Sequence, residues 1–233
     1  MTPDMPQRRI FDTILFDLDG TLVDSAPDLA AAMNHVLGLH GRPALPSDSV
    51  RDMVGDGARR LIEKGMAATG GWPADAVIEA MLEQFLDYYH AHIMDSTRPF
   101  PGTADVLAGL QDAGYRLALC TNKPQALTES LMRGLGLAKY FPVMLGGDAV
   151  PARKPAADHL QAAVAAVAGR RALLIGDSIT DVRAAQAADM PVLVVRHGYS
   201  RLPLDSLGAD AIIDSLQDIA QWLDRHGQVM LHP

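Results

Sequence analysis

The stretch that decides the fold is ILFDLDGTLVDS, residues 14–25. Its first residues, Ile14, Leu15 and Phe16, favour a buried strand. The chain then delivers Asp17, Asp19 and Asp24 in quick succession, with no basic residue among them. Like charges this close raise one another's pKa, and an unmatched cluster lowers stability. A bound cation or an acid–base task would account for Asp17 and Asp19. Asp24 needs no such role and is expected to cap the next helix.

Beyond this strand the pattern turns helical. SAPDLAAAMNHVLGLHG (25–41) opens with Ser25 and Asp28 at capping-box spacing and with Pro27 in the first turn, and it closes at Gly41. Helical patterns follow at about 47–54, 57–69 and 73–94, and no strand is evident between residues 24 and 97. From Pro99 helices alternate with apolar runs: YRLALC (115–120), PVML (142–145), RALLIG (171–176) and PVLVV (191–195), with a last helix near 215–225. That alternation identifies βαβ units around a parallel sheet covered on both faces. The expected fold class is α/β, a doubly wound parallel sheet with a Rossmann-like core and an inserted all-helical cap domain. LVDSAP (22–27) and the Pro-rich STRPFPG (96–102) mark the two crossings, so residues 1–23 and 98–233 should form the core and 24–97 the cap.

Composition limits the partners. Of 233 residues, 48% are hydrophobic and 21% charged, as in an ordinary globular protein. A formal charge of −8 disfavours nonspecific attraction to nucleic acid or to an anionic membrane. The single cysteine, Cys120, fits a buried strand end and excludes an internal disulfide, which favours a reducing compartment. No apolar run approaches the ~20 residues of a membrane span. The leading MTPDMPQRR lacks the apolar core of a signal peptide, and the cytoplasm is the expected location. His90 and His92 fall on opposite sides of one helix and read as solvated or interfacial. GxGxxG, GxxxxGK[ST] and HExxH are all missing, so dinucleotide, P-loop and zincin chemistry lack their residues.

In an open parallel sheet, ligands bind beyond the carboxyl ends of the strands. Here those ends carry Asp17 and Asp19, Thr121 and Asn122, Lys154 in the loop after PVML, and Asp177. A carboxylate at Asp17 can attack an electrophile, and Asp19, two residues on, can act as acid and base. Mg2+ takes oxygen ligands, which Asp17 and Asp177 would supply. A hydroxyl at Thr121 and a cation at Lys154 suit a tetrahedral oxyanion, so the set matches phosphoryl transfer. Structural readings compete at several positions. Ser178 and Asp181 also have capping-box spacing, and Thr121-Asn122 before Pro124 could be only a helix start. Lys154 differs, because a cation just before a helix opposes its dipole.

DLDGT (17–21), CTNKP (120–124), RKP (153–155) and GDSITD (176–181) resemble, in order and spacing, the motifs of the haloacid dehalogenase-like hydrolase superfamily, over about residues 10–225. Within it the likeness is nearest to the bacterial phosphoglycolate phosphatase branch. The resemblance implies a phosphomonoester hydrolase with Asp17 as nucleophile, forming an aspartyl-phosphate, and Asp19 as general acid and then base. It places Thr121 and Lys154 on the phosphoryl group, with Asn122 assisting. Mg2+ would sit on the carboxylates of Asp17 and Asp177 and the main-chain carbonyl of Asp19, with Asp181 behind them. VGDGARR (54–60) resembles the family's glycine-rich cap turn, which makes Gly55 and Arg60 candidates for substrate contact, Arg60 through a substrate carboxylate. The expected substrate is a small phosphorylated metabolite, 2-phosphoglycolate first, and the expected state is a monomer or homodimer. A phosphatase for a sugar phosphate or pyrophosphate, a phosphomutase, and a non-enzymatic receiver-like module phosphorylated on aspartate are the alternatives.

Overall fold

The computed structural model describes residues 8–71, 74–226 and 228–229. Six strands form the central sheet: β1 (Thr13–Phe16), β2 (Arg116–Cys120), β3 (Val143–Leu145), β4 (Ala172–Gly176), β5 (Val192–Val195) and β6 (Ala211–Ile213). All run parallel in the order β3-β2-β1-β4-β5-β6. The first strand is therefore central, and the direction of winding reverses between β1 and β4. In a doubly wound sheet that reversal opens the crevice where ligands bind. Strand β6 escaped the sequence reading because three edge residues, of which only Ile213 is buried, carry too little pattern.

Alternation along each strand separates two cores, as the two-residue period of a strand requires. Ile14, Phe16, Leu117, Leu119, Leu173 and Ile175 join one apolar cluster, and Leu15, Ala118, Cys120 and Leu174 join the other. Helices α7 (Ala157–Ala166) and α8 (Ile179–Ala187) cover the second face. Helices α5 (Thr103–Asp112), α6 (Gln125–Gly134) and α9 (Asp218–His226) cover the first, which continues into the helical insert.

That insert comprises α1 (Ala26–Leu39), α2 (Ser47–Arg51), α3 (Ala58–Gly70) and α4 (Asp75–Ala91). Helix α1 packs on α2 and α4, and α3 packs on α4, around Met33, Leu37, Ile62, Ile78 and Phe85. The two crossings lie side by side: Val23–Asp24 pairs antiparallel with Arg98–Pro99. Among the described residues no helix is long and apolar enough to cross a membrane.

Two helix-start expectations are corrected. Ser25 is the N-cap of α1 but makes no side-chain capping bond. Its hydroxyl donates instead to Asp19 Oδ1 at 2.6 Å. Asp28 accepts from Ser96 N–H (2.9 Å), Thr97 N–H (2.8 Å) and the Thr97 hydroxyl (2.7 Å), stapling α1 to the returning chain. Asp24 does not cap the helix. It accepts from the Tyr199 hydroxyl at 2.7 Å and from Arg51 at 2.9 Å. For Asp28 and Asp24 distant donors outcompete the local amide that sequence spacing suggests, and for Ser25 the Asp19 carboxylate takes the hydroxyl, because the crossing point brings these partners within reach.

Candidate active site

At the carboxyl edge of the sheet, the ends of β1, β2 and β4 and the loop after β3 converge as the sequence predicts. Lys154 lies at the centre, its side chain 2% exposed, so its charge must be matched by protein groups. Its ammonium donates to Asp17 Oδ1 at 2.7 Å and to Asp181 Oδ1 at 2.6 Å. Burial alone would depress the Lys154 pKa, but the two carboxylates outweigh it and hold the ammonium firmly protonated. The backbone N–H of Lys154 points at Nδ1 of the buried His159 (3.4 Å), whose Nε2 meets the Leu145 carbonyl at 3.2 Å. These partners fix a neutral ring that accepts through Nδ1. Burial and the Lys154 charge push the His159 pKa down to about 4.

Asp17, Asp177 and Asp181 each offer a carboxylate oxygen within 4.8 Å of the others, and all three are buried. Burial pushes the Asp17 carboxyl up to about 6; Lys154 opposes that shift and Asp181 adds to it. Burial, then the neighbouring Asp181 and Asp17, drives Asp177 well above the usual carboxylate range. Three carboxylates against the one ammonium of Lys154 leave two negative charges, the complement of a divalent cation with a preference for oxygen. The chemistry of this donor set therefore fits a metal ion. Asp181 has little capacity left for it. Oδ1 is taken by Lys154, while Oδ2 accepts from the Ser178 hydroxyl (2.6 Å) and N–H (3.1 Å) in a formed capping box. Both sequence readings of Asp181, as helix cap and as support for the site, describe the same side chain.

Asp177 is held from behind. Its Oδ2 accepts from the Tyr199 N–H at 2.6 Å. The turn after β1 presses against it at Gly20, whose φ is +86° and whose missing Cβ would lie 2.4 Å from Asp177 Oδ2. No side chain fits there, which explains the glycine of DLDGT. The Tyr199 hydroxyl accepts from Ser25 N–H (2.8 Å) and Ala26 N–H (3.1 Å), so one residue after β5 supports both the acid cluster and the start of the insert.

Asp19 faces away from the acid cluster. Besides the Ser25 hydroxyl, it meets the ammonium of Lys123, 3.1 Å from Oδ1 and 3.2 Å from Oδ2. The Lys123 side chain is 3% exposed and also donates to the Tyr89 hydroxyl of α4 at 2.7 Å. Thr121 is buried, and its hydroxyl accepts from Lys123 N–H at 3.3 Å. Asn122 donates to the Lys154 carbonyl (3.0 Å) and across to the Gly55 carbonyl (3.2 Å), which fixes its amide orientation. Its Oδ1 is buried without a partner among the described residues. An unpaired buried acceptor costs about 1–3 kcal/mol and awaits a donor from ligand or water. A further link between insert and core joins Thr180 to Asp56 at 3.0 Å.

A cavity of about 50 Å³ separates this edge from the insert, small enough to suit a ligand of few atoms. Asp17, Asp19, Thr121 and Asn122 line one side; Gly55, Gly57 and apolar side chains of the insert line the other. Arg60 is not brought to it. Its side chain is 58% exposed and pairs with Glu63 at 2.5 Å on the next turn of α3. The sequence reading passed over Lys123 and Tyr199. For Lys123 the signal was present: it is a cation directly before the start of α6, the same anomaly that singled out Lys154. For Tyr199 nothing local signals contact with Asp177.

A doubly wound sheet with this acidic strand-end site defines a hydrolase class, and the chain belongs to it: the haloacid dehalogenase-like hydrolase family matches residues 14–195. The chain is 47% identical over 210 residues to a phosphoglycolate phosphatase of Caulobacter vibrioides, covering 89% of this chain and 88% of that one. A crystal structure of a predicted phosphoglycolate phosphatase from Haemophilus somnus superposes with a TM-score of 0.86 at 30% identity, covering 91% and 98%. CbbY from Rhodobacter sphaeroides, solved in complex with phosphate, gives 0.77 at 27% identity, covering 92% and 99%.

Proposed function

We propose that the protein is a Mg2+-dependent phosphomonoesterase that converts 2-phosphoglycolate to glycolate and phosphate through an aspartyl-phosphate. The single observation that carries this reading is the Lys154 ammonium bridging Asp17 and Asp181 beside Asp177 and Thr121, a concentration of charge that phosphoryl transfer requires and a merely structural site does not. The nearness to named phosphoglycolate phosphatases supports the choice of substrate. Residues 24–97 act as a cap over a core of 1–23 and 98–233, and the enzyme works in the cytoplasm on a small phosphorylated metabolite, without nucleic-acid or membrane partners.

In the first step an Asp17 oxygen bonds to phosphorus as the bond from phosphorus to the ester oxygen breaks. Asp19 gives its proton to the departing alkoxide. Lys154 holds the other end of the Asp17 carboxylate in place and, with Thr121, offsets charge on the phosphoryl oxygens. In the second step Asp19 takes a proton from water, the water oxygen bonds to phosphorus, and the bond to Asp17 breaks. Asp17, Asp177 and the Asp19 main-chain carbonyl would hold Mg2+, which supplies charge neutralisation for the phosphoryl group. Asp181 positions Lys154 from behind.

Phosphate release from a panel of phosphomonoesters, with and without Mg2+, tests the reading. It expects 2-phosphoglycolate to rank first, with activity abolished by chelator and restored by Mg2+. A panel with no metal-dependent turnover overturns it.

A further inference from the structure

The apolar wall of the cavity raises a question that Arg60 does not answer. A carboxylate entering beside Leu61, Phe85 and Leu86 loses its water and must meet a positive group. Helices α1, α3 and α4 offer no cation to the cavity. Arg59 is engaged by Glu63 and Glu79, and Arg60 by Glu63, and neither lines the cavity. Lys154 is enclosed by its two aspartates. Among the described residues that line the cavity, Lys123 is the one basic side chain.

We propose that Lys123 is the seat of the substrate's carboxylate, and that Tyr89 positions its ammonium. The inference rests on the phosphomonoesterase reading and adds to it the residue that selects the substrate. Its geometry follows from Asp19. A general acid must touch the ester oxygen, and the Lys123 ammonium stands 3.1 Å from Asp19 Oδ1. In phosphoglycolate the carboxylate is joined to that ester oxygen through a single carbon, which places it within the ammonium's reach. The two distances to Asp19, 3.1 and 3.2 Å, suit one shared N–H, and Tyr89 takes a second at 2.7 Å. A third N–H then remains for the ligand. The ammonium also lies 4.5 Å from the centre of the Tyr89 ring, so the phenol holds it by hydrogen bond and by ring face together. Tyr89 belongs to the insert and Lys123 to the core, so the seat is complete only when the two are together.

The test compares kcat/KM for 2-phosphoglycolate, for 3-phosphooxypropionate, whose carboxylate is one carbon further away, and for ethyl phosphate, which has none. It uses the full chain with Mg2+ and the variants Lys123→Met, Lys123→Arg and Tyr89→Phe. Loss of the Asp19 contact should slow every substrate by a common factor in Lys123→Met. The ratio of 2-phosphoglycolate to ethyl phosphate should fall by a further tenfold to hundredfold, roughly the worth of one charge-assisted hydrogen bond. Lys123→Arg should recover part of that ratio, and Tyr89→Phe should lower it a few fold through KM. Wild type should prefer the two-carbon acid to the three-carbon one. If Lys123→Met slows 2-phosphoglycolate and ethyl phosphate equally, Lys123 serves Asp19 alone and the inference fails. Should Lys123→Met not fold, an unchanged ratio in Tyr89→Phe and Lys123→Arg overturns it equally. A wild type inactive on all three substrates would instead refute the phosphomonoesterase reading itself.

Discussion

The two walls of the cavity are made of different materials. The sheet-edge wall carries charged groups, Lys123 against Asp19 and Asp17 beside them, and directly behind it Lys154 ties Asp17 to Asp181, all held at 2.6–3.2 Å. The insert wall is apolar, formed by Leu29, Leu61, Phe85 and Leu86, with the Tyr89 hydroxyl as its polar contribution. A lattice of buried charges tolerates no displacement, because any group left unpaired is costly. An apolar wall tolerates change, provided that it excludes water and keeps its shape. Charged contacts to a ligand therefore belong to the rigid wall, and the shape of the space around it to the adaptable one.

The sharpest break of this contrast is Asp17→Asn, which removes the proposed attacking oxygen but keeps the shape. Turnover should fall by at least about 10⁴-fold, as for other catalytic nucleophiles. The circular dichroism spectrum should not change. Substantial residual phosphate release by a sample free of deamidation would remove Asp17 from that role.

Next in size is Asp177→Ala. The Mg2+ concentration giving half-maximal activity should rise at least about tenfold, since one proposed ligand is lost from a small set. An unchanged metal titration would place the ion elsewhere.

The same wall should also depend on pH in the metal-free protein. The folded-state pKa of Asp17 is raised from 3.8 to about 6, so folding binds a proton that the unfolded chain has released. Stability is then present at low pH and lost as pH rises through about 6. In chelator at pH 7, Asp17→Asn should be more stable than wild type by up to about 3 kcal/mol, from the shift of two units. The gain should vanish near pH 4. Urea melts of both proteins across this range test it, and equal stability throughout would show that Lys154 fully compensates the buried charge.

His159 works in the opposite sense. Its folded pKa, about 4, lies below the ordinary 6.5, so protonation favours the unfolded chain and stability is lost as pH falls between those values. His159→Gln should lose less stability than wild type between pH 7 and pH 4.5. A parallel pair of curves would mean that the ring protonates in place.

The smallest effect is expected at Arg60, which lies outside both walls. Arg60→Ala should change kcat/KM for 2-phosphoglycolate by less than about twofold, the usual scale for an exposed ion pair. A tenfold loss would bring α3 into substrate contact and break the division between the walls.

All of the sheet but its edge strand β6 was legible in the sequence, because those strands are continuous apolar runs. The convergence of Asp17, Thr121, Lys154 and Asp177 followed from the parallel topology alone. What escaped was contact across the crossing point. Ser25 and Asp28 have the spacing of a capping box, but Asp19, six residues back, claims the first and Thr97, 69 residues on, the second, and no local pattern encodes so distant a partner as Thr97. The glycine-rich turn at 54–60 meets the site at Gly55, whose carbonyl accepts from Asn122. The direction of the arginine that follows depends on Glu63, three residues on, whose carboxylate accepts from it.

The pairing of Val23–Asp24 with Arg98–Pro99 has a consequence for how such molecules can be recombined. Because the chain leaves the sheet and returns to it at adjacent points, the sheet experiences the intervening four helices as it would a hairpin turn. A different module whose ends meet at the same spacing could be spliced there without changing the register of any strand. A chimera of that kind would keep Asp17, Lys154 and Asp177 as they are and exchange only the wall that faces them, so new substrate ranges could be sampled on an unaltered reaction centre.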